Sequence, residues 1–184
     1  KSRNFTSLSP KKKVDIHSPV ILIGASVGGP RTLKAILSEI PSEIQSPILI
    51  VQHIERNFAG SLAKNINQHC KIKVKIGENG ESIKNGIAYI SPGAFHMEVS
   101  VRNRSPIVRT YSGKPVNFCI PSIDVLFISA ARVFKDATLG ILLTGMGVDG
   151  VNGLKAIRRF GGKTIAESEE TSVCGCCGDH GGFR

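Results

Sequence analysis

Three side chains in this sequence could act together as a nucleophile, a base and an orienting carboxylate, and each follows an apolar run. Ser26 lies in Gly24-Ala-Ser-Val-Gly-Gly-Pro30, directly behind Val20–Ile23. His53 ends the stretch Ile48-Leu-Ile-Val-Gln-His53, and Asp149 lies in Thr144-Gly-Met-Gly-Val-Asp-Gly150, behind Leu139–Leu143. A serine hydroxyl is a poor nucleophile until a base takes its proton; a histidine can do so near neutral pH, and a carboxylate fixes its tautomer. Taken singly, each residue has another reading. The Ser26 loop is also a phosphate-binding turn or a plain tight turn, His53 a structural cap on a strand, and Asp149 a helix N-cap. A dinucleotide fingerprint would need glycine where Ser26 stands, whereas Gly-x-Ser-x-Gly matches Gly24 to Gly28. The backbone N–H groups at the start of the following helix carry partial positive charge, so Val27 and Gly28 are candidates for an oxyanion or substrate pocket.

These loops need elements that bring them to one edge. Val20–Gly24 and Pro47–Gln52 read as buried strands, and each is followed by helical spacing of apolar residues, over Pro30–Ile40 and Phe58–His69. Two such units predict a parallel sheet covered on both faces. Ile72–Ile76, Ile87–Ser91, Met97–Val101 and Ile107–Tyr111 are short strands among Gly, Asn, Pro and Ser turns, which predicts a β-rich excursion with hairpins. A helix over about Ser122–Phe134, a strand at Leu139–Thr144, a helix over about Gly150–Phe160 and a strand at Lys163–Ala166 restore the α/β order. The expected fold is α/β: a three-layer, mostly parallel Rossmann-like sheet with a β-hairpin excursion. In such sheets ligands sit beyond the carboxyl ends of the strands, where the loops of Ser26, His53 and Asp149 should converge.

The expected organisation is a flexible leader or interdomain linker over 1–18, a catalytic domain over 19–173 and an atypical tail over 174–184. The net charge of +10 favours acidic partners through salt-sensitive attraction, part of it carried by Lys11–Lys13 in the leader. Aromatic content of 5% does not favour single-strand nucleic-acid stacking, and no apolar run approaches the roughly 20 residues of a membrane span. No nucleic acid and no membrane insertion are therefore expected. The five cysteines form no regular disulfide framework, which with no visible export signal points to a reducing, cytoplasmic setting. Cys174, Cys176, Cys177 and His180 are spaced too tightly for an ordinary zinc finger, so no metal and no cofactor is expected. His96 is expected to pack or hydrogen-bond near the excursion, and Ser122 and Asp124 to cap the helix they open.

From about Val20 to Val173 the sequence resembles the CheB-type chemotaxis protein-glutamate methylesterases. The resemblance rests on Ile23-Gly-Ala-Ser-Val-Gly-Gly-Pro30, Ile50-Val-Gln-His53, Ile90-Ser-Pro-Gly-Ala-Phe-His96, Pro121-Ser-Ile-Asp-Val-Leu-Phe127, Leu143-Thr-Gly-Met-Gly-Val-Asp-Gly150 and Thr171-Ser-Val173. It implies Ser26 as nucleophile, His53 as base, Asp149 as acid, and Met146 beside the site with its backbone N–H as an oxyanion donor. The implied substrates are methyl-esterified glutamates on the helical cytoplasmic part of chemoreceptors, with glutamine deamidation as a second activity and a receiver domain as a partner in the parent protein. Three departures stand out. Val27 replaces a threonine common in the family, Asn117-Phe-Cys-Ile120 lacks the polar, often basic, residues expected there, and the tail after Val173 does not continue the family's pattern. The rival reading is a Rossmann-like module that holds a phosphate or nucleotide at Gly24–Pro30.

Overall fold

The computed structural model describes residues 18–145, 147–168 and 170–172. The leader up to His17, Met146 and the 174–184 tail lie outside the described residues.

β1 (Val20–Ala25) and β2 (Ile48–Gln52) are the apolar runs of the sequence, and they pair in parallel from Ile21 opposite Ile48 to Ala25 opposite Gln52. Between them α1 (Gly29–Ser38) returns over the sheet, and after β2 the helix α2 (Arg56–Asn67) does the same. β3 (Lys73–Ile76) and β4 (Ile87–Ile90) follow, then the hairpin β5 (His96–Arg102) and β6 (Ser105–Tyr111). The chain continues through α3 (Ile123–Phe134), a 3-10 turn, β7 (Thr138–Leu142), α4 (Val151–Arg159) and β8 (Lys163–Ala166). The main sheet is six-stranded in the order β3-β4-β2-β1-β7-β8, and every pairing in it is parallel.

Strands buried on both faces carry apolar residues at every position, and alternate residues feed opposite cores. Ile23, Ile48 and Ile50 pack with Leu33 and Leu37 of α1 and Ala63 and Ile66 of α2. Leu22, Leu49 and Val51 face the other way, against Leu126, Phe127 and Ala130 of α3 and Leu154 and Ile157 of α4. These are the three expected layers. Leu22, Ile23, Leu49 and Ile50 are fully buried, and each contributes roughly 1.5–3 kcal/mol by leaving water.

The excursion is smaller than its strand count suggests. β3 and β4 join the parallel sheet, because Ile87-Ala-Tyr-Ile90 is apolar enough to be buried between β2 and β3. Only β5 and β6 pair as a hairpin, turning at Asn103 and Arg104, whose φ values of 52° and 68° suit the two-residue turn that matches strand twist. The hairpin packs on α3, where the Ser129 hydroxyl accepts the Val99 N–H at 3.0 Å.

Candidate active site

Parallel pairing puts two of the candidate residues side by side. Ala25 and Gln52 are register partners at the ends of β1 and β2, so Ser26 and His53 are the first residues beyond adjacent strand ends. The loops are tied at once: His53 N–H donates to Ala25 O, and Ser26 N–H donates to Thr144 O beyond β7, both at 3.0 Å. The buried Gln52 amide donates to Ser26 O at 2.8 Å and to His53 O at 3.0 Å, which fixes both backbones. The Ser26 loop then enters α1 through Gly28, at φ 83°, and Thr144 Oγ1 donates to Val27 O at 3.0 Å.

Asp149 reaches the same edge from the loop before α4, and its carboxylate is fully engaged. Oδ2 accepts from His53 Nε2 at 2.8 Å and from Ile123 N–H at 2.7 Å. Oδ1 accepts from Ser122 Oγ at 2.8 Å, Asn117 Nδ2 at 3.0 Å and Asp124 N–H at 3.2 Å. Two of these donors belong to the first turn of α3, which needs acceptors and favours negative charge. That turn comes this close because residue 24 is glycine: a Cβ there would lie 2.5 Å from Ile123 Cγ2. Burial alone would raise the Asp149 pKa, but the bonds from His53, Asn117, Ile123 and Ser122 outweigh it and hold the carboxyl below its ordinary value.

This support is reciprocal between two helices. Asp124, in the first turn of α3, accepts from the N–H groups of Gly150 at 3.0 Å and Gly153 at 2.6 Å at the start of α4. Asn117 joins both carboxylates, donating to Asp124 Oδ2 at 2.8 Å as well as to Asp149. The capping expected of Asp124 therefore serves the neighbouring helix, while Ser122 caps α3 and also donates to Asp149. His96 is buried with its Nδ1 accepting from Ser122 N–H and its Nε2 against Lys114 O, the hydrogen-bonding role anticipated for it.

His53 gives Nε2–H to Asp149, so Nδ1 is the nitrogen left to accept a proton. Among the described residues Nδ1 faces the Cys119 sulfur at 3.8 Å, and no hydrogen bond joins His53 to Ser26 Oγ. Nucleophile-to-base contacts are often long before substrate arrives. Burial, and then the Asp149 charge, push the Cys119 thiol upward, so it stays protonated and can point its hydrogen at Nδ1. A cleft of about 540 Å3 opens beside His53, lined among others by Ile54, Arg56, Ala94, Phe118, Cys119 and Ile120. Ile54, Ala94, Phe118 and Ile120 share its walls with the charged Glu55 and Arg56, and the Arg56 guanidinium stands 5.5 Å from the Phe95 ring centre.

With this geometry in place, comparison with known proteins decides the family. Residues 21–176 match the model of the CheB methylesterase family. This chain belongs to the CheB methylesterase family. A crystal structure of the Thermotoga maritima CheB methylesterase catalytic domain superposes with a TM-score of 0.86 at 34% identity, covering 88% of this chain and 86% of that one. A probable protein-glutamate methylesterase of Borreliella burgdorferi is 45% identical over 154 residues, 84% of this chain and 41% of the relative. A protein-glutamate methylesterase/protein-glutamine glutaminase of Archaeoglobus fulgidus is 40% identical over 153 residues, 83% of this chain and 44% of the relative. The chain thus spans less than half the length of these curated relatives. The phosphate-binding alternative is not favoured.

In this CheB-type domain the sequence located the three strand-end residues but not what holds them. Gln52, Asn117, Ser122 and Asp124 supply that support; the polar Gln52 at the end of an apolar run and the capping pair Ser122 and Asp124 carry local signals, but none of these shows that they hold the site. Val27 is half exposed beside Ser26, and with Gly28 it begins the turn into α1. No helix among the described residues is long and apolar enough to cross a membrane.

Proposed function

We propose that this domain is a serine hydrolase acting on glutamate methyl esters of chemoreceptor helices, with Ser26 as nucleophile, His53 as base and Asp149 as its orienting carboxylate. The observation that carries it is the His53 Nε2–Asp149 Oδ2 contact of 2.8 Å, set one strand from Ser26 in a chain of the CheB methylesterase family. With Nε2–H held by Asp149, His53 Nδ1 takes the Ser26 proton as Oγ attacks the ester carbonyl carbon. The resulting imidazolium lies against the Asp149 charge. The developing oxyanion meets backbone N–H groups at the Val27–Gly28 turn, and the family resemblance adds Met146 as a further donor. Collapse expels the methoxy group, which leaves as methanol with the proton from His53. Water, deprotonated by the same imidazole, then attacks the acyl-serine and releases glutamate with Ser26 restored. A glutamine side chain would follow the same path with ammonia leaving, in keeping with the dual name of the Archaeoglobus fulgidus relative.

The partners proposed are methylated cytoplasmic helices of chemoreceptors and, in the parent protein, a receiver domain, which places the activity in the cytoplasm. The domain bounds proposed are the catalytic unit over 19–173, with the leader over 1–18 and the tail over 174–184 outside it. Methanol release from methyl-esterified receptor tests the reading. Wild type should release methanol and Ser26→Ala should not; equal release by both would overturn it.

A further inference from the structure

The hydrolytic scheme gives Cys119 no task, yet its sulfur lies 3.8 Å from His53 Nδ1, the atom that scheme needs free. Its backbone is pinned by a reciprocal pair with Val116, with N–H to O distances of 2.9 and 3.2 Å. Cys119, His53 and Asp149 each bring a ligand atom within 4.8 Å of the other two. Thiolate and imidazole are protein donors that zinc takes, at about 2.3 and 2.0 Å. Two such donors on one tetrahedral ion stand roughly 3.3–3.8 Å apart, so the sulfur and Nδ1 already stand at that spacing. The carboxylate stands on the far side of the ring, where its bond from Nε2–H orients the imidazole and raises its basicity toward an ion on Nδ1. The cleft that opens onto Cys119 and His53 gives a path of entry and room for water at the remaining positions.

We infer that a thiophilic divalent cation of the Zn2+ class binds between Cys119 Sγ and His53 Nδ1, with Asp149 orienting the imidazole from its other nitrogen, and reversibly inhibits the domain by occupying the imidazole lone pair. The thiol gives up its proton to solvent as the sulfur–metal bond forms, and no oxidation takes place. The thiolate offsets half the charge of the cation directly, and the Asp149 carboxylate offsets the rest through the neutral imidazole that it holds. An imidazole whose lone pair is on a metal cannot accept a proton from Ser26, so inhibition follows from the position of the cation alone. The cysteine that makes this site stands in the segment that departs from the family's polar pattern, so the sensitivity belongs to this chain's own residues.

Inhibition rests on the hydrolase reading, whereas cation binding does not, and the experiment separates them. Cys174, Cys176 and Cys177 supply thiols elsewhere, so the reduced full chain is compared with a variant carrying serine at all three positions. Titration with Co2+ should give a thiolate-to-metal absorption band that saturates at one equivalent in this background. Adding Cys119→Ser, Cys119→Ala or His53→Ala should remove it, with circular dichroism establishing that each variant is folded. Zn2+ should displace the Co2+ and slow methanol release, and a chelator should restore the rate. In Cys119→Ser the Zn2+ concentration for half-inhibition, measured against that variant's own metal-free rate, should rise about 10-fold or more. A band that survives loss of Cys119, or Zn2+ inhibition unchanged in Cys119→Ser, would overturn the inference. If the chain hydrolyses no methyl ester, the Co2+ band still decides whether the site exists.

Discussion

Replacing Asp149 with asparagine keeps the shape of the side chain while removing its charge and one of its two acceptor oxygens. Oδ1 meets three donors, from Asn117, Ser122 and Asp124, and Oδ2 meets two, from His53 and Ile123. The amide oxygen therefore keeps the Oδ1 position, and its NH2 group turns toward His53 and Ile123. His53 can answer by accepting at Nε2 and moving its proton to Nδ1, which is the nitrogen needed as a base. The mutant then holds the wrong tautomer, a fault that costs about 10⁴-fold in another serine triad, and kcat here should fall on the order of 10³–10⁴-fold. The buried Ile123 N–H is left facing another donor, at a cost of about 1–3 kcal/mol. For a domain of this size that lowers Tm by about 2–12 °C. Methanol release and thermal unfolding of the same preparation read both effects. A folded Asp149→Asn that keeps kcat within about tenfold of wild type would refute the tautomer argument, and an unchanged Tm would refute the hydrogen-bond count.

Three further outcomes follow from the same contacts. Ser26→Ala and His53→Ala should each lower kcat on the order of 10³-fold or more, and the double variant should lose little beyond either; multiplicative losses would mean the two residues do not share a mechanism. Gly29→Ala should cost roughly 1–3 kcal/mol and lower activity, because its Cβ would fall 1.9 Å from the buried Gln52 Oε1 and displace the amide that ties the Ser26 and His53 loops; an unaltered Tm would contradict this. The Asp149 carboxyl sits below its ordinary 3.8, so its stabilisation is complete above that pH and disappears as pH falls through the lower folded value. The Tm gap between wild type and Asp149→Asn should accordingly narrow below about pH 4, and a gap that widens on acidification would reverse the sign of the argument.

What the sequence revealed was local. β1 and β7 are apolar runs followed by small-residue loops and β2 is one followed by a histidine, so the sequence places their ends, and with them Ser26, His53 and Asp149, on one edge. Helix α2 was legible by periodicity yet begins two residues earlier than its apolar spacing indicates, behind Glu55. β3 was misassigned to the excursion because Lys73-Val-Lys-Ile76 alternates as a hairpin strand does, and an edge strand of a parallel sheet alternates for the same reason. The supporting residues were hidden for a different cause. Asn117 stands in a segment that departs from the family pattern and Asp124 reads as an ordinary cap, while the groups they serve lie 26 to 32 residues further along the chain. Likewise nothing in the sequence places Cys119 beside His53, 66 residues away.

The most direct test of the central claim is to treat the protein with a fluorophosphonate and locate the adduct by peptide mass mapping. Such reagents report a serine activated by a neighbouring base. The account predicts one phosphonylated residue, Ser26, in wild type, and its loss in folded His53→Ala. An adduct on any other residue with Ser26 unmodified, or labelling of Ser26 that proceeds as fast without His53, would contradict it.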